Sequence, residues 1–228
     1  MLSHPELLPR VTHQVWIPCG SMELEGELTL PPRALGLVLF AHGSGSSRHS
    51  PRNQFVARFL QEGRLGTLLF DLLTGPEGRE DEVTGAYRFD IRLLATRLEA
   101  ASQWAAEQEP TRGLPQGLFG ASTGAAAALI AAARSGSRVG AVVSRGGRPD
   151  LAGDALPLVG APTLLIVGER DPEVIQLNRE AMARMACEHE LQIVRRATHL
   201  FEEPGALRIV ADLASTWFRT HLNGGETP

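Results

Sequence analysis

The chain of 228 residues contains no lysine, and all 22 of its basic residues are arginine. This absence excludes chemistries that need an ammonium on a flexible stem: a Walker phosphate loop, a pyridoxal Schiff base or a lysine nucleophile. Cysteine is also scarce. Cys19 and Cys187 make neither a CxxC pair nor a disulfide framework, which rules out structural zinc held by thiolates and suits a reducing compartment. Eight Phe, three Trp and one Tyr are too few for base-stacking platforms, and a net charge of -4 provides no basic stripe, so nucleic acid is not expected as a partner. The longest run of small apolar residues, Ala125 to Ala133, falls far short of the ~20 residues of a membrane span. Met1 to Val11 is broken by Pro5 and Pro9 and has no basic cluster before an apolar run, so it does not read as a signal peptide. A soluble, cytoplasmic protein without a membrane partner is expected.

The length suits one domain, with a core over about residues 11–222 and a frayed tail at 223–228. No internal repeat interrupts it. Val11 to Ile17 and Glu25 to Leu30 alternate in polarity around Cys19-Gly20-Ser21, which predicts an antiparallel hairpin. Six short apolar runs follow: Leu37–Ala41, Thr67–Phe70, Gly117–Phe119, Val139–Val143, Thr163–Val167 and Leu191–Val194. Such runs fit strands buried on both faces. Between them, helices are predicted at Asn53–Gln61, Phe89–Gln108, Ser122–Arg134, Glu173–Cys187 and Gly205–Leu222. In the second of these, Ile91, Leu94, Leu98, Ala101 and Ala105 form one apolar stripe. The alternation predicts an α/β fold, a mostly parallel twisted sheet with helices on both faces, whose chemistry belongs on loops after the carboxyl ends of the strands.

One such loop is Gly120-Ala121-Ser122-Thr123-Gly124, between an apolar run and the helix former Ala125-Ala126-Ala127-Ala128-Leu129. In a Gly-x-Ser-x-Gly turn the serine perches so sharply that flanking side chains would strike neighbouring backbone, hence the glycines. The new helix aims its first N–H groups at the place where an oxyanion would form, with the Thr123 N–H as the natural donor. A serine hydroxyl needs a base, usually a histidine oriented by a carboxylate. Asp171, in Glu169-Arg170-Asp171-Pro172 after the Thr163 run, is the candidate acid, although an Asp before Pro is equally suited to cap a helix. His199 lies in the loop after the last strand. The other histidines are placed less well: His4, His13 and His221 lie near the termini or in the hairpin, and His189 precedes the last strand. The chain order Ser122, Asp171, His199 is that of the α/β-hydrolase fold.

The loop His42-Gly43-Ser44-Gly45-Ser46-Ser47 follows the strand that precedes the nucleophile's, where this fold finds its second oxyanion donor; the Ser44 N–H is the candidate. A dinucleotide fingerprint fails there because Arg48 stands where Gly or Ala is required. No histidine spacing suits a metal, and neither metal nor cofactor is expected. Arg48 and Arg52, with Arg145 and Arg148, fall near the same end of the sheet. Arg48 and Arg145 are candidates to hold a substrate carboxylate; the alternative is pairing of these arginines with Asp150, Asp154 or Glu77.

On His42-Gly43, the Gly120 to Gly124 turn, Asp171 and His199, the chain resembles the α/β-hydrolases and, more narrowly, the dienelactone hydrolase family, from about Val11 to about Leu222. Founding members of that family use a cysteine nucleophile where this chain has Ser122. The resemblance therefore implies a serine esterase acting on small esters or lactones, with no lid domain, because only Ser144 to Pro162 follow the Val139 strand. A ligand receptor on the same fold, an acyltransferase and a thioesterase are the alternatives.

Overall fold

The computed structural model describes residues 11–222; the tail at 223–228, and His4, lie outside the described residues. In chain order the elements are β1 (Val11–Cys19), β2 (Met22–Leu30), β3 (Gly36–Ala41), α1 (Pro51–Glu62), β4 (Leu65–Phe70), α2 (Gly75–Thr84), α3 (Ile91–Glu107), β5 (Gln116–Ala121), α4 (Thr123–Ser135), β6 (Val139–Arg145), β7 (Thr163–Gly168), α5 (Pro172–Met182), β8 (His189–Val194) and α6 (Ala206–His221). The eight strands form one sheet in the order β1-β2-β4-β3-β5-β6-β7-β8. Strands β3 to β8 run parallel, while β2 is antiparallel to both β1 and β4. β1 and β2 close through a two-residue turn in which Gly20 adopts φ +64°. One face of the hairpin is solvated: Val15 and Ile17 turn inward and Trp16 outward.

The central strands β3, β4, β5 and β7 are buried at every residue, as their unbroken apolar runs require. Side chains alternate between the sheet's two faces. On one face Val38, Phe40, Phe119, Ala141 and Val143 pack under α1 and α6. On the other, Leu37, Leu39, Leu118 and Val142 pack under α3 and the alanine-rich α4. The stretch after β6 is a run of 3-10 turns, Pro149–Leu158, rather than a lid domain.

Two features depart from the predicted helices. Residues Glu173 to Cys187 were expected as one helix, yet α5 ends at Met182. Its last turns tighten, with Arg184 N–H donating to Ala181 O and Met185 N–H to Met182 O, and this swings Met185 into the core. The other is α2, which has no apolar stripe and so no sequence periodicity to announce it. Tertiary anchoring holds it instead. Thr74 and Glu77 form a reciprocal capping box, and Glu77 accepts a hydrogen bond of 2.5 Å from Arg97, which is itself 1% exposed and donates to Leu72 O at 2.6 Å. Burial acts to raise the Glu77 pKa, but the hydrogen bonds from Arg97 and Thr74 outweigh it and hold the carboxyl below its ordinary value.

Glu77→Ala leaves the Arg97 guanidinium buried without its counter-ion and is expected to destabilise the protein by about 3 kcal/mol in urea unfolding. The double variant Glu77→Ala/Arg97→Met should recover a large part of that loss, because no charge is then stranded.

Candidate active site

Ser122 is the single residue between β5 and α4, and its backbone sits at φ +52°, ψ -122°, a region that non-glycine residues rarely occupy. Packing imposes this conformation. A Cβ on Gly120 would lie 2.4 Å from Ala125 Cα, and one on Gly124 would lie 2.2 Å from Ala41 O, so both flanking positions are barred to other residues. Hydrogen bonds fix the turn: Ser122 N–H donates to Arg145 O at 3.1 Å, and Ser122 O accepts from the N–H groups of Ala125 and Arg148, each at 3.1 Å.

Asp171 stands at the start of α5, but its side chain caps nothing. Its Oδ2 instead meets His199 Nδ1 at 2.6 Å. The loop carrying His199 is brought across the end of β7 at close range, since a Cβ on Gly168 would come within 2.4 Å of Ala197 O. Arg170 N–H donates to that same carbonyl at 2.9 Å, and Thr198 N–H donates to Glu203 Oε1 at 3.0 Å. The His199 ring rests over Gly146, where an added Cβ would stand 3.5 Å from both Cε1 and Nδ1. Gly146 follows Arg145, whose carbonyl receives the Ser122 N–H. One strand end therefore touches both Ser122 and His199.

Ser44 and Thr123 are also brought together, though not as expected. Thr123 opens α4, so its N–H has no intrahelical acceptor. The Ser44 N–H, expected to be a waiting oxyanion donor, is instead directed at Thr123 Oγ1 at 3.0 Å, and Ser44 Oγ lies 3.0 Å from the same atom. A threonine beside Ser122 supplies a hydroxyl within reach, and the loop closes on it.

The expected Arg48–Arg145 carboxylate clamp does not form. Arg48 is bound to Asp71 through both its backbone N–H and its guanidinium, and to Glu25 at 2.7 Å. Arg145 is 7% exposed and projects on the α1 side of the sheet, with Arg52 as its charged neighbour. Among the other pairings considered, Arg148 does bind Asp150, at 2.9 and 2.7 Å, whereas Glu77 pairs with Arg97 and Asp154 with Arg184.

A cavity of about 580 Å³ opens beside the Ser44 loop, lined by Ser44, Arg48, Asp71, Leu73, Arg88 and Leu94 among others. Ser122 and His199 lie outside its lining. Its wall carries Glu23, Glu25, Asp71, Asp81 and Glu82 against two arginines, both of them ion-paired. Two residues without a sequence assignment hold the loop in place. Asp71, directly after β4, fastens Arg48, and buried His42 bridges Leu72 N–H at its Nε2 and Gly43 O at its Nδ1, each at 3.0 Å. The position of His42 directly after β3 was the available clue. Among the described residues no cluster of His, Cys, Asp or Glu could hold a metal, and no helix is long and apolar enough to cross a membrane.

This sheet order, with a strained serine between β5 and α4, defines an α/β-hydrolase. A dienelactone hydrolase crystal structure from Anabaena variabilis is 54% identical, spans 93% of this chain and 99% of its own, and superposes with a TM-score of 0.92. The chain belongs to the dienelactone hydrolase family. The fold is shared more widely. A dienelactone hydrolase-like promiscuous phosphotriesterase from metagenomic libraries matches at TM-score 0.74 and 20% identity over 94% of this chain and 99% of its own. A thermostable carboxylesterase, also metagenomic, matches at 0.72 and 18% over 94% and 90%. Proteins from two strains of Mycobacterium tuberculosis, whose names propose a phosphoribosyl transferase, are 54% identical over 216 residues, which is 95% of this chain and 48% of theirs. The chain thus spans about half the length of the curated relatives it matches. No protein-family profile matches it.

The His42 bridge has a pH consequence. Burial, first, lowers its pKa below the ordinary 6.5, against the opposing pull of Gly43 O and Asp71. Accepting the Leu72 N–H requires Nε2 to be unprotonated. With the folded value below the unfolded one, the unfolded chain binds more protons, so this contribution to stability is present above the unfolded pKa and shrinks as pH falls. Between pH 7.5 and 5 the Tm of the wild type should drop by more than that of His42→Gln in scanning calorimetry. Parallel curves would remove His42 as the cause.

Proposed function

We propose that the protein is a serine hydrolase that cleaves carboxylic esters or lactones of small molecules through an acyl-enzyme. The observation that carries this reading is Asp171, which forgoes the helix cap its position offers and binds His199 at the strand end that also holds Ser122. In this reading Asp171 keeps the His199 Nδ1 proton in place and stabilises the imidazolium. Nε2 takes the proton from Ser122 Oγ as that oxygen bonds to the substrate carbonyl carbon. The carbonyl oxygen becomes an oxyanion at the start of α4, receiving the Thr123 N–H and, once Thr123 Oγ1 yields it, the Ser44 N–H. The imidazolium then protonates the departing alkoxide, and water repeats the sequence in reverse to free the acid and regenerate the serine.

The cavity beside Ser44 would hold the body of the substrate. Its carboxylate-rich wall and ion-paired arginines favour an uncharged group over an anion there. A reducing, cytoplasmic setting, suggested by the scarcity of cysteine, belongs to the same proposal. We attribute the phosphoribosyl transfer in the mycobacterial names to the half of those proteins outside the match.

On a panel of p-nitrophenyl esters and small lactones, Ser122→Ala should lower kcat by about 10⁴-fold or more. Turnover within tenfold of wild type would refute the serine mechanism. Asp171→Asn should fold with an unchanged Tm and still lose about 10⁴-fold, since the amide favours the wrong His199 tautomer. A variant that lost only stability would show Asp171 to be a structural residue.

A further inference from the structure

We propose that Arg145, at the end of β6, and Arg52, in the first turn of α1, together bind a small oxyanion of the phosphate or carboxylate kind. Arg145 follows Ala141 and Val143 along β6 onto the face covered by α1 and α6. Its Nε and Nη1 are buried, and neither makes a hydrogen bond. Among the described residues no carboxylate lies in ion-pair contact with it, and its charged neighbour is a second guanidinium, Arg52. Burial, with that neighbour, pushes the Arg145 pKa down to about 10, so it stays cationic at neutral pH. Arg52 also has a buried Nε without a partner; its Nη1 reaches Glu202 at 3.3 Å, and its side chain is about one-third exposed. Arg52 lies in the first turn of α1, a 12-residue helix with no acidic residue in that turn.

A buried cation with two unsatisfied donors is strongly unfavourable unless an anion faces it. Two neighbouring guanidinium groups with unmatched N–H donors present the charge and the hydrogen-bond donors that an oxyanion requires. Occupancy would also bear on the catalytic loops, because the Arg145 carbonyl holds Ser122 and Arg52 reaches Glu202 on the His199 loop.

The test is scanning calorimetry of the full chain in inorganic phosphate or acetate against sodium chloride at equal ionic strength. One of the two oxyanions should raise Tm saturably, by about 5–10 °C at a hundredfold excess over Kd. Arg145→Met should abolish the rise, and without anion its Tm should equal or exceed that of wild type, because the uncompensated charge is gone. Arg52→Gln should weaken the rise, and it carries the test alone if Arg145→Met does not fold. The preference for phosphate or acetate identifies which anion the site takes. An equal rise in chloride, a rise that survives Arg145→Met, no rise in either oxyanion, or simple competition with an ester substrate would overturn the proposal.

Discussion

The constraint on which the structure depends is the closeness of three backbones at the end of the sheet. β5, β3 and the first turn of α4 approach so nearly that an added methyl at Gly120 or Gly124 would lie well inside van der Waals contact. This crowding leaves no room for a relaxed connection, and Ser122 takes the strained conformation that remains. Hydrogen bonds to the Arg145 carbonyl and from the Ala125 and Arg148 N–H groups surround the turn and hold it there. The same carbonyl of Arg145 links the strand that ends at Ser122 to the one beneath His199, so these two side chains share a foundation although 77 positions separate them in sequence.

Arginine takes every cationic role in the chain, and its burial takes two forms. Arg97 lies in the interior with its two Nη groups matched, by Leu72 O and by the Glu77 carboxylate, and only its Nε unmatched, and it ties α2 to α3. Arg145 is nearly as deep and has no such matching. A planar fork can be placed inside a protein when each donor finds an acceptor. The contrast between these two residues is that of a buried cation facing a carboxylate and one whose charged neighbour is a second cation.

What was legible in the sequence follows from which interactions are local. The continuous apolar runs of β3 to β7 come from burial on both faces, and the Gly-x-Ser-x-Gly turn comes from sterics within five residues, so both were readable. The Asp171–His199 contact, 28 positions apart, was inferred from loop order rather than from any local pattern. Arg48 was misread because its partners, Asp71 and Glu25, each lie 23 residues away and charge alone does not choose among carboxylates. That the Ser44 N–H is directed at Thr123 Oγ1 was not legible for a related reason: that acceptor is 79 residues distant. Polar α2 gave no periodicity because its stability comes from a single buried arginine on the next helix.

The wall of the cavity is shared between the loop from His42 to Pro51, which carries Ser44, and the segment from Leu73 to Arg88, between β4 and α3, whereas Ser122, Asp171 and His199 come from loops after β5, β7 and β8. That segment is fixed at its base by Arg97 and at its far end by Arg88, which closes onto Asp81 and whose carbonyl accepts from Ser44 Oγ. Its outward residues, such as Val83, contribute little to the core. In the proposed hydrolase, mutations in this segment would reshape its side of the cavity while Ser122, Asp171 and His199 keep their positions, so that part of recognition is free to change apart from bond cleavage.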